Sequence, residues 1–483
     1  MKNGRIILTA ALENLRPIGI GSGRGDRSDR DVVTTEYRFD NHGEILPPER
    51  FHEGNMDNTR QLPFIPATSF LGKIFRQFDV KKFPAIEKYW GKFEGNASYI
   101  DCSDILLTKL PQASVNVIEV RDGTRIDSTK GTVAPGAKFD YELLAPGAKF
   151  SLMMIFRVEE NTIADYNLAL NIAYNIATVL NKGIDLGSKS TVGYGQVKGD
   201  AGLYELDFEN NDHFEHWINN RLTEIKVAIP VVESLLLPQN QSFVIKADFS
   251  IRNSLIIRSY STDPTAPDAT HLKSGGKNIL SGTSIKGALR SRAERILNTI
   301  QNDTDTTTTI LAGLFGDIEK EEDKVTVKKG GYTVPSRVFV DEIFVEEVVE
   351  KIQTRIQIDR FTGGTVDGAL FEEVPLFPEK EKTHIKSFTI KVVNPNPLDK
   401  GLMLLLLKDL WTADLPIGGE KSVGRGVLEG VSAIVYDGID EYKLLDDLRD
   451  SQKTEVMQSY VDALHNDNNY HVYSERVKYY KSK

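Results

Sequence analysis

A chain of 483 residues with 40% hydrophobic and 27% charged side chains has the composition of a globular protein, long enough for roughly two to four domains with cores of their own. The single cysteine, Cys102, excludes an internal disulfide and a cysteine-built zinc site, and fits a reducing, cytoplasmic compartment. The net charge of −10 has the wrong sign for indiscriminate binding to a polyanion, so any nucleic-acid contact must rest on positive charge sorted onto one track.

In chain order, Ile6-Ile7-Leu8-Thr9-Ala10-Ala11-Leu12 is too short for a signal-peptide core and runs into Glu13 and Arg16, so it reads as a first β-strand. A loop of glycines and acids follows, Gly21 to Val32, then an insertion from Phe39 to Gln61. Thr68 to Phe78 reads as a helix with Thr68 or Ser69 at its N-cap. Ile126 to Pro146, rich in Gly, Thr and aromatics, reads as a long exposed hairpin. Ile163 to Asn181 has apolar residues at helical spacing and stops at Lys182-Gly183. The loop Gly187 to Gly195 comes next, and Pro238-Gln239-Asn240-Gln241 reads as a linker between a first domain over 1–230 and a second over 240–483.

The second half repeats this order. Phe243 to Phe249 alternates as a half-buried strand, and Ser261 to Thr270 is a polar loop. Thr283 to Leu297 reads as a helix capped by Thr283 or Ser284, followed by polar insertions at 301–306 and 319–329. Ile358 to Pro375 is the second hairpin and Gly418 to Gly426 the second glycine loop. Leu402 to Leu407 is far short of the ~20 apolar residues that a membrane-spanning helix needs, so no membrane is expected. The tail, Tyr470 to Lys483, reads as a frayed end.

Three motifs recur in register. Ile65-Pro66-Ala67-Thr68-Ser69-Phe70-Leu71-Gly72 matches Leu280-Ser281-Gly282-Thr283-Ser284-Ile285-Lys286-Gly287, with Thr68 and Thr283 215 residues apart. Ile126-Asp127 with Gly136-Ala137-Lys138-Phe139 matches Ile358-Asp359 with Gly368-Ala369-Leu370-Phe371, 232 residues on. Lys189-Ser190-Thr191-Val192-Gly193-Tyr194-Gly195 matches Lys421-Ser422-Val423-Gly424-Arg425-Gly426 with one residue deleted, Gly193 and Gly424 lying 231 apart. Near-constant spacing across three motifs indicates a duplication, and strands interleaved with two helices per half indicate an α+β, ferredoxin-like (RRM-like) unit written twice.

The chemistry of these motifs suits a phosphate backbone. The first N–H groups of a helix lack internal partners and attract anions, an effect that nearby lysines increase. Lys286 and Arg290, four residues apart, are expected to project from one face toward a phosphate track, with Arg292 beside them. An ordinary capped helix would show the same residues once; two copies favour the ligand reading. In the first half Thr68, Ser69, Lys73 and Arg76 take this part, though Leu71 stands where the second half has Lys286. The glycine loops present Lys189 and Ser190, and Lys421, Ser422 and Arg425, on backbone that can approach a ligand closely. Neither is a Walker loop. An aspartate beside a bound phosphate can orient an attacking group, accept its proton or hold a metal ion. His271 lies three residues past Asp268, and Thr34 occupies the matching place in the first half.

These motifs resemble the RAMP superfamily, and within it the backbone subunits of type III CRISPR effector complexes, in tandem fusion. The resemblance covers most of both halves. It implies that the chain lines up along a CRISPR guide RNA beside other type III subunits. It implies that thumb hairpins, carrying Asp127, Phe139, Asp359, Arg360, Phe361 and Phe371, kink the duplex of guide and target RNA. It further implies a loop aspartate that cuts the target with a divalent metal such as Mg²⁺ and no organic cofactor: Asp268 in the second half, and Asp31 or else Asp26 in the first. The metal's ligands are not indicated. A guide-binding scaffold that does not cut, and a metal-independent ribonuclease that processes precursor guides, are the alternatives.

Overall fold

A computed structural model describes residues 4–482 apart from 24, 26–27, 48–57, 92–96, 113–114, 127–131, 159–162, 220, 223–225, 228–233, 239, 261–264, 302, 319–332, 380–381, 445–449 and 467–469. Asp26, Asp127 and the insertion at 319–329 therefore lie outside the described residues. The chain folds into two compact units, whose bodies meet in sequence at Gln239 and Asn240.

In the first unit the order is β1 (Gly4–Asn14), α1 (Ala67–Phe75), β2 (Ile100–Cys102), a hairpin of β3 (Ile118–Ile126) and β4 (Val133–Leu144), then β5 (Lys149–Arg157), α2 (Ile163–Lys182) and β6 (Gln196–Asp207). Setting the hairpin aside, this is strand, helix, two strands, helix, strand. The antiparallel sheet runs β6-β1-β5-β2, the ferredoxin-like order. The strand period of two explains why β1 is central: Ile6, Leu8, Ala10 and Leu12 pack with Phe70, Ile74, Ile172, Ile176 and Leu180, while Ile7 faces Tyr204 and Leu206. Helix α2 stops where Gly183 takes φ 105°, a conformation that costs glycine little.

The second unit repeats the plan with β7 (Ser242–Ile251), the short strands β8 (Arg258–Ser259) and β9 (Ala269–His271), α3 (Gly282–Gln301), α4 (Thr304–Phe315), β10 (Val338–Val340), a hairpin base of β11 (Gln353–Arg355) and β12 (Phe371–Val374), β13 (Ile385–Val393), α5 (Pro397–Trp411) and β14 (Leu428–Asp437). Its sheet runs β10-β13-β7-β14, again antiparallel and in the same topological order. Phe243, Ile245, Phe249 and Ile251 of β7 bury against Ile285, Leu289 and Leu297 of α3 and Leu402, Leu406 and Leu410 of α5. At Gly430 a Cβ would lie 1.9 Å from the Trp411 ring, so only glycine lets β14 pass that side chain.

Three local expectations are corrected. Neither Thr68 nor Ser69 caps α1; the helix begins at Ala67 after Pro66, and the Ala67 N–H donates to Asp104 Oδ1 at 2.8 Å. Helix α3 starts at Gly282, with the Ser281 hydroxyl accepting the Ser284 N–H at 3.4 Å. The tail is not frayed. Beyond α6 (Ser451–Asp462) it forms α7 (His471–Lys481), and Tyr473 is wholly buried against Gly313 of α4.

Candidate nucleic-acid interface

The second hairpin narrows above β11 and β12 to a tip closed by backbone bonds from Val366 N–H to Gln357 and from Asp359 N–H to Gly364, both 2.9 Å. The Asp359 carboxylate accepts the N–H groups of Thr362 (2.8 Å) and Phe361 (2.9 Å), which hold it below the usual carboxylate range. That turn leaves Phe361 99% exposed, with Arg360, Ile358 and Leu370 also exposed. An aromatic ring held in water by an ordered turn carries a stacking surface free for a partner. The first hairpin is a longer ribbon that starts at Ile118, eight residues before its expected edge at Ile126. On it Phe139 covers the bare backbone of Gly123, and the Arg30 guanidinium and Lys189 amine lie 5.3 and 5.2 Å from its ring centre.

Under each hairpin sits a glycine loop of the same backbone shape. Lys189 and Glu420 both take left-handed φ (59° and 55°), a 3₁₀ turn follows each (Ser190–Val192 and Lys421–Val423), and Gly193 and Gly424, then Gly195 and Gly426, again have positive φ. The loops therefore match without a deletion. Lys189 corresponds to Glu420 rather than Lys421, and Tyr194 to Arg425. The exchange reverses the local charge.

In the first unit the Lys189 amine rests 3.1 Å from the Tyr141 ring centre; burial, with Arg30 and Arg121 nearby, lowers its pKa to about 7. Arg121, itself buried, donates to Tyr194 Oη at 3.2 Å and Glu119 Oε2 at 2.8 Å. In the second unit three guanidiniums and two carboxylates interlock. Arg258 reaches Glu373 (2.6 Å) and Glu420 (3.1 Å), Arg355 reaches Glu420 (2.7 Å), and Arg425 contacts Glu420 at 2.6 Å and Gln353 at 2.6 Å. Burial pushes the Glu373 carboxyl up. Arg425, expected to grip RNA, is thus sealed in this network, whereas Lys421 and Ser422 are exposed.

The aspartates are placed unequally. Asp268 is exposed at the foot of the hairpin, where its Oδ2 accepts the Glu372 N–H at 2.8 Å. Asp31 is only 4% exposed, and its Oδ1 accepts the Ser28 N–H (2.7 Å) and hydroxyl (3.0 Å), the work of a loop-forming residue. Its neighbour Asp29 is exposed and accepts the Asp140 N–H at 3.0 Å. Sequence reasoning passed over it. His271 does not share the work of Asp268: its ring takes the Ile257 N–H at 3.2 Å and meets the Ile279 carbonyl at 2.8 Å, and burial lowers its pKa to about 4.

The helix starts also divide. Thr68, Ser69, Arg76 and Thr283 are exposed, with Lys73 and Ser284 half-buried. Lys286 and Arg290 do share α3, but their heads turn onto their own unit. The Lys286 amine donates to Ser336 Oγ (2.8 Å) and the Val338 carbonyl (2.9 Å); Arg290 donates to the Gly316 carbonyl (2.7 Å) and Arg292 to Asp409 (2.6 Å). The expected phosphate track along this face is therefore a set of struts, because each head finds a carbonyl or carboxylate of its own unit within reach. Burial lowers the Lys286 pKa to about 7, well under its free value of 10.5. The folded state thus binds fewer protons than the unfolded state between those values, and its stability rises with pH across pH 7–10. Lys286→Met is expected to flatten that slope, read as the denaturation midpoint against pH; an unchanged slope would show that the amine keeps its proton when folded.

Among the described residues no three His, Cys, Asp or Glu side chains converge as ligands for a metal ion. The carboxylates at the hairpin feet, Asp29 with Asp140 and Asp268 beside Glu372, do not make a resident metal site by themselves. Among the described residues, no helix is long and apolar enough to cross a membrane.

No curated protein sequence gives a significant match to the chain. The family model of the RAMP superfamily, by contrast, matches residues 11–198 and again residues 249–429, one match over each half and together most of the chain. Two matches on two sheets of the same strand order are what a duplicated domain of one family leaves behind, and the chain belongs to the RAMP superfamily.

Proposed function

We propose that the chain is a double backbone subunit of a type III CRISPR effector complex, holding guide RNA with both units and cutting the paired target RNA. The observation that carries this reading is the foot of the second hairpin, where an exposed, backbone-anchored carboxylate, Asp268, stands beneath a projection ending in Phe361. Exposed Thr68, Ser69, Arg76, Thr283, Lys421 and Ser422 meet the RNA backbone, while Lys286, Arg290, Arg292 and Arg425 hold the units that present them.

Cutting needs no nucleophile from the protein. The 2′-oxygen of the RNA bonds to phosphorus as the bond from phosphorus to the 5′-oxygen breaks. The 2′-hydroxyl proton goes to the carboxylate, and the 5′-oxygen takes a proton from water, leaving a 2′,3′-cyclic phosphate and a 5′-hydroxyl. The carboxylate's part is to orient the 2′-hydroxyl and receive its proton. Phe361 and its flanking apolar side chains wedge the duplex open, so that the backbone at the hairpin foot can adopt the in-line geometry.

The test uses the guide-loaded complex, a labelled complementary RNA, and arms with Mg²⁺ or a chelator. Wild type is expected to bind the guide and release discrete products, and removal of 361–369 to preserve guide binding while disturbing those products. Guide binding without cutting would make the chain a scaffold. Chelator-resistant cutting confined to precursor guides would make it a processing enzyme.

A further inference from the structure

Recurrent backbone hydrogen bonds decide which loop residues of the two units correspond. The N–H of Ser188 donates to Gly19 and that of Gly419 to Ile256, each at 2.8 Å, which pairs Gly19 with Ile256 and hence Ile20 with Ile257. The N–H of Val33 then donates to Ile20 (2.9 Å) and that of Leu272 to Ile257 (2.8 Å), which pairs Val33 with Leu272. Counting back four residues in each loop brings Asp29 opposite Asp268.

The far side of the loop agrees. In the first unit the Glu142 N–H donates to the Arg30 carbonyl at 3.0 Å. In the second, β9 runs parallel to β12 with Ala269 opposite Glu373 and Thr270 opposite Val374. Pro375 has no N–H, so this register sends the Val374 N–H to the Ala269 carbonyl. Glu142 and Val374 each lie three residues past the matched Phe139 and Phe371, so Arg30 corresponds to Ala269. The carboxylates close the case: Asp29 accepts from Asp140 and Asp268 from Glu372, in each case the residue directly after that phenylalanine.

We infer that Asp29, rather than Asp31 or Asp26, is the first unit's counterpart of Asp268 and the carboxylate that meets RNA at a second cutting position. This rests on the cutting role proposed above. Asp29 is the more firmly set of the two, because its own N–H also donates to Asp140 Oδ1 at 2.7 Å, a reciprocal clamp between loop and hairpin foot. Exposure points the same way: a proton acceptor for RNA must reach it, and the carboxylate of Asp31 is turned inward.

The experiment maps products from the guide-loaded complex for Asp29→Asn, Asp31→Asn and Asp268→Asn, with guide affinity measured for each. Asparagine keeps an oxygen for the Asp140 or Glu372 N–H but is a poor proton acceptor. Asp29→Asn is expected to lower one product by about a hundredfold or more, a different product from the one that Asp268→Asn removes, with guide affinity unchanged. Loss of that product in Asp31→Asn alone, at normal guide affinity, overturns the inference. So does a full set of products from Asp29→Asn while Asp268→Asn loses its own. Full products from all three variants remove the cutting role itself, and the inference with it.

Discussion

Replacing Asp268 by alanine slows cutting at its own position by about 10²- to 10⁴-fold, the usual worth of a placed proton acceptor, and leaves guide affinity unchanged. The separation follows from where the side chain stands. It is exposed, and its hydrogen bond to the Glu372 N–H anchors the loop. The strands around it are held by other groups: the backbone pairing of β8, β9, β12 and β11, and the ion pairs of Arg258, Arg355 and Arg425 with Glu373 and Glu420. Removing the carboxylate therefore takes away its chemistry but not the foot of the hairpin. Asparagine separates the two roles, since it keeps the anchor and loses the basicity. If both substitutions leave product yields at the wild-type level, the proton goes elsewhere and the chemistry belongs to another subunit.

The largest stability loss is expected at Asp399. This wholly buried carboxylate receives both ends of the Arg337 guanidinium, at 2.6 and 3.1 Å, and the Tyr473 hydroxyl at 2.5 Å. It also completes the capping box that starts α5. Alanine here strands the Arg337 charge in the interior, an expected cost of about 3–5 kcal/mol by denaturant unfolding of the full chain. Asn396→Ala takes away the cap and its bond to Tyr473 but leaves the ion pair, at an expected cost of about 1 kcal/mol. Equal losses from the two substitutions would show that the ion pair adds nothing beyond the cap. The same contact docks α7 onto the unit, so Asp399→Ala is also expected to expose the tail to proteolysis.

Both predictions rest on a plan that the sequence carries in outline. The alternation in Phe243 to Phe249 and the helical spacing over Ile163 to Asn181 mark a strand and a helix, observed at Ser242–Ile251 and Ile163–Lys182, because burial on one face writes its period into the chain. The tail broke that rule. Its register is carried by Tyr473, whose partners Arg337, Asn396 and Asp399 are distant in sequence.

Lys286 and Arg290 show the same limit for charge. Their spacing puts them on one helix, but only the packed neighbours Ser336, Val338 and Gly316 decide that they brace the fold instead of facing solvent. Lysine and arginine can snorkel to water or donate to buried carbonyls, and a linear pattern does not separate the two.

By itself the sequence determined that one α+β module is written twice and marked its hairpins, glycine loops and helices in outline, because each is a local matter of period or glycine; the start of α1, the edge of the first hairpin and the pairing within the glycine loops were decided by the folded chain. It left open which loop aspartate matches which. The loops Gly21 to Val32 and Ser261 to Thr270 share no motif, and matching Thr34 to His271 puts Asp31 opposite Asp268. The backbone bonds of Val33, Glu142 and Leu272 place Val32 there instead and bring Asp29 to Asp268. The error is a slip of two residues, and in extended chain a slip of two returns every side chain to the same face. No alternation of polar and apolar residues can register it. Only the hydrogen bonds of the folded loop can, since each N–H has one partner.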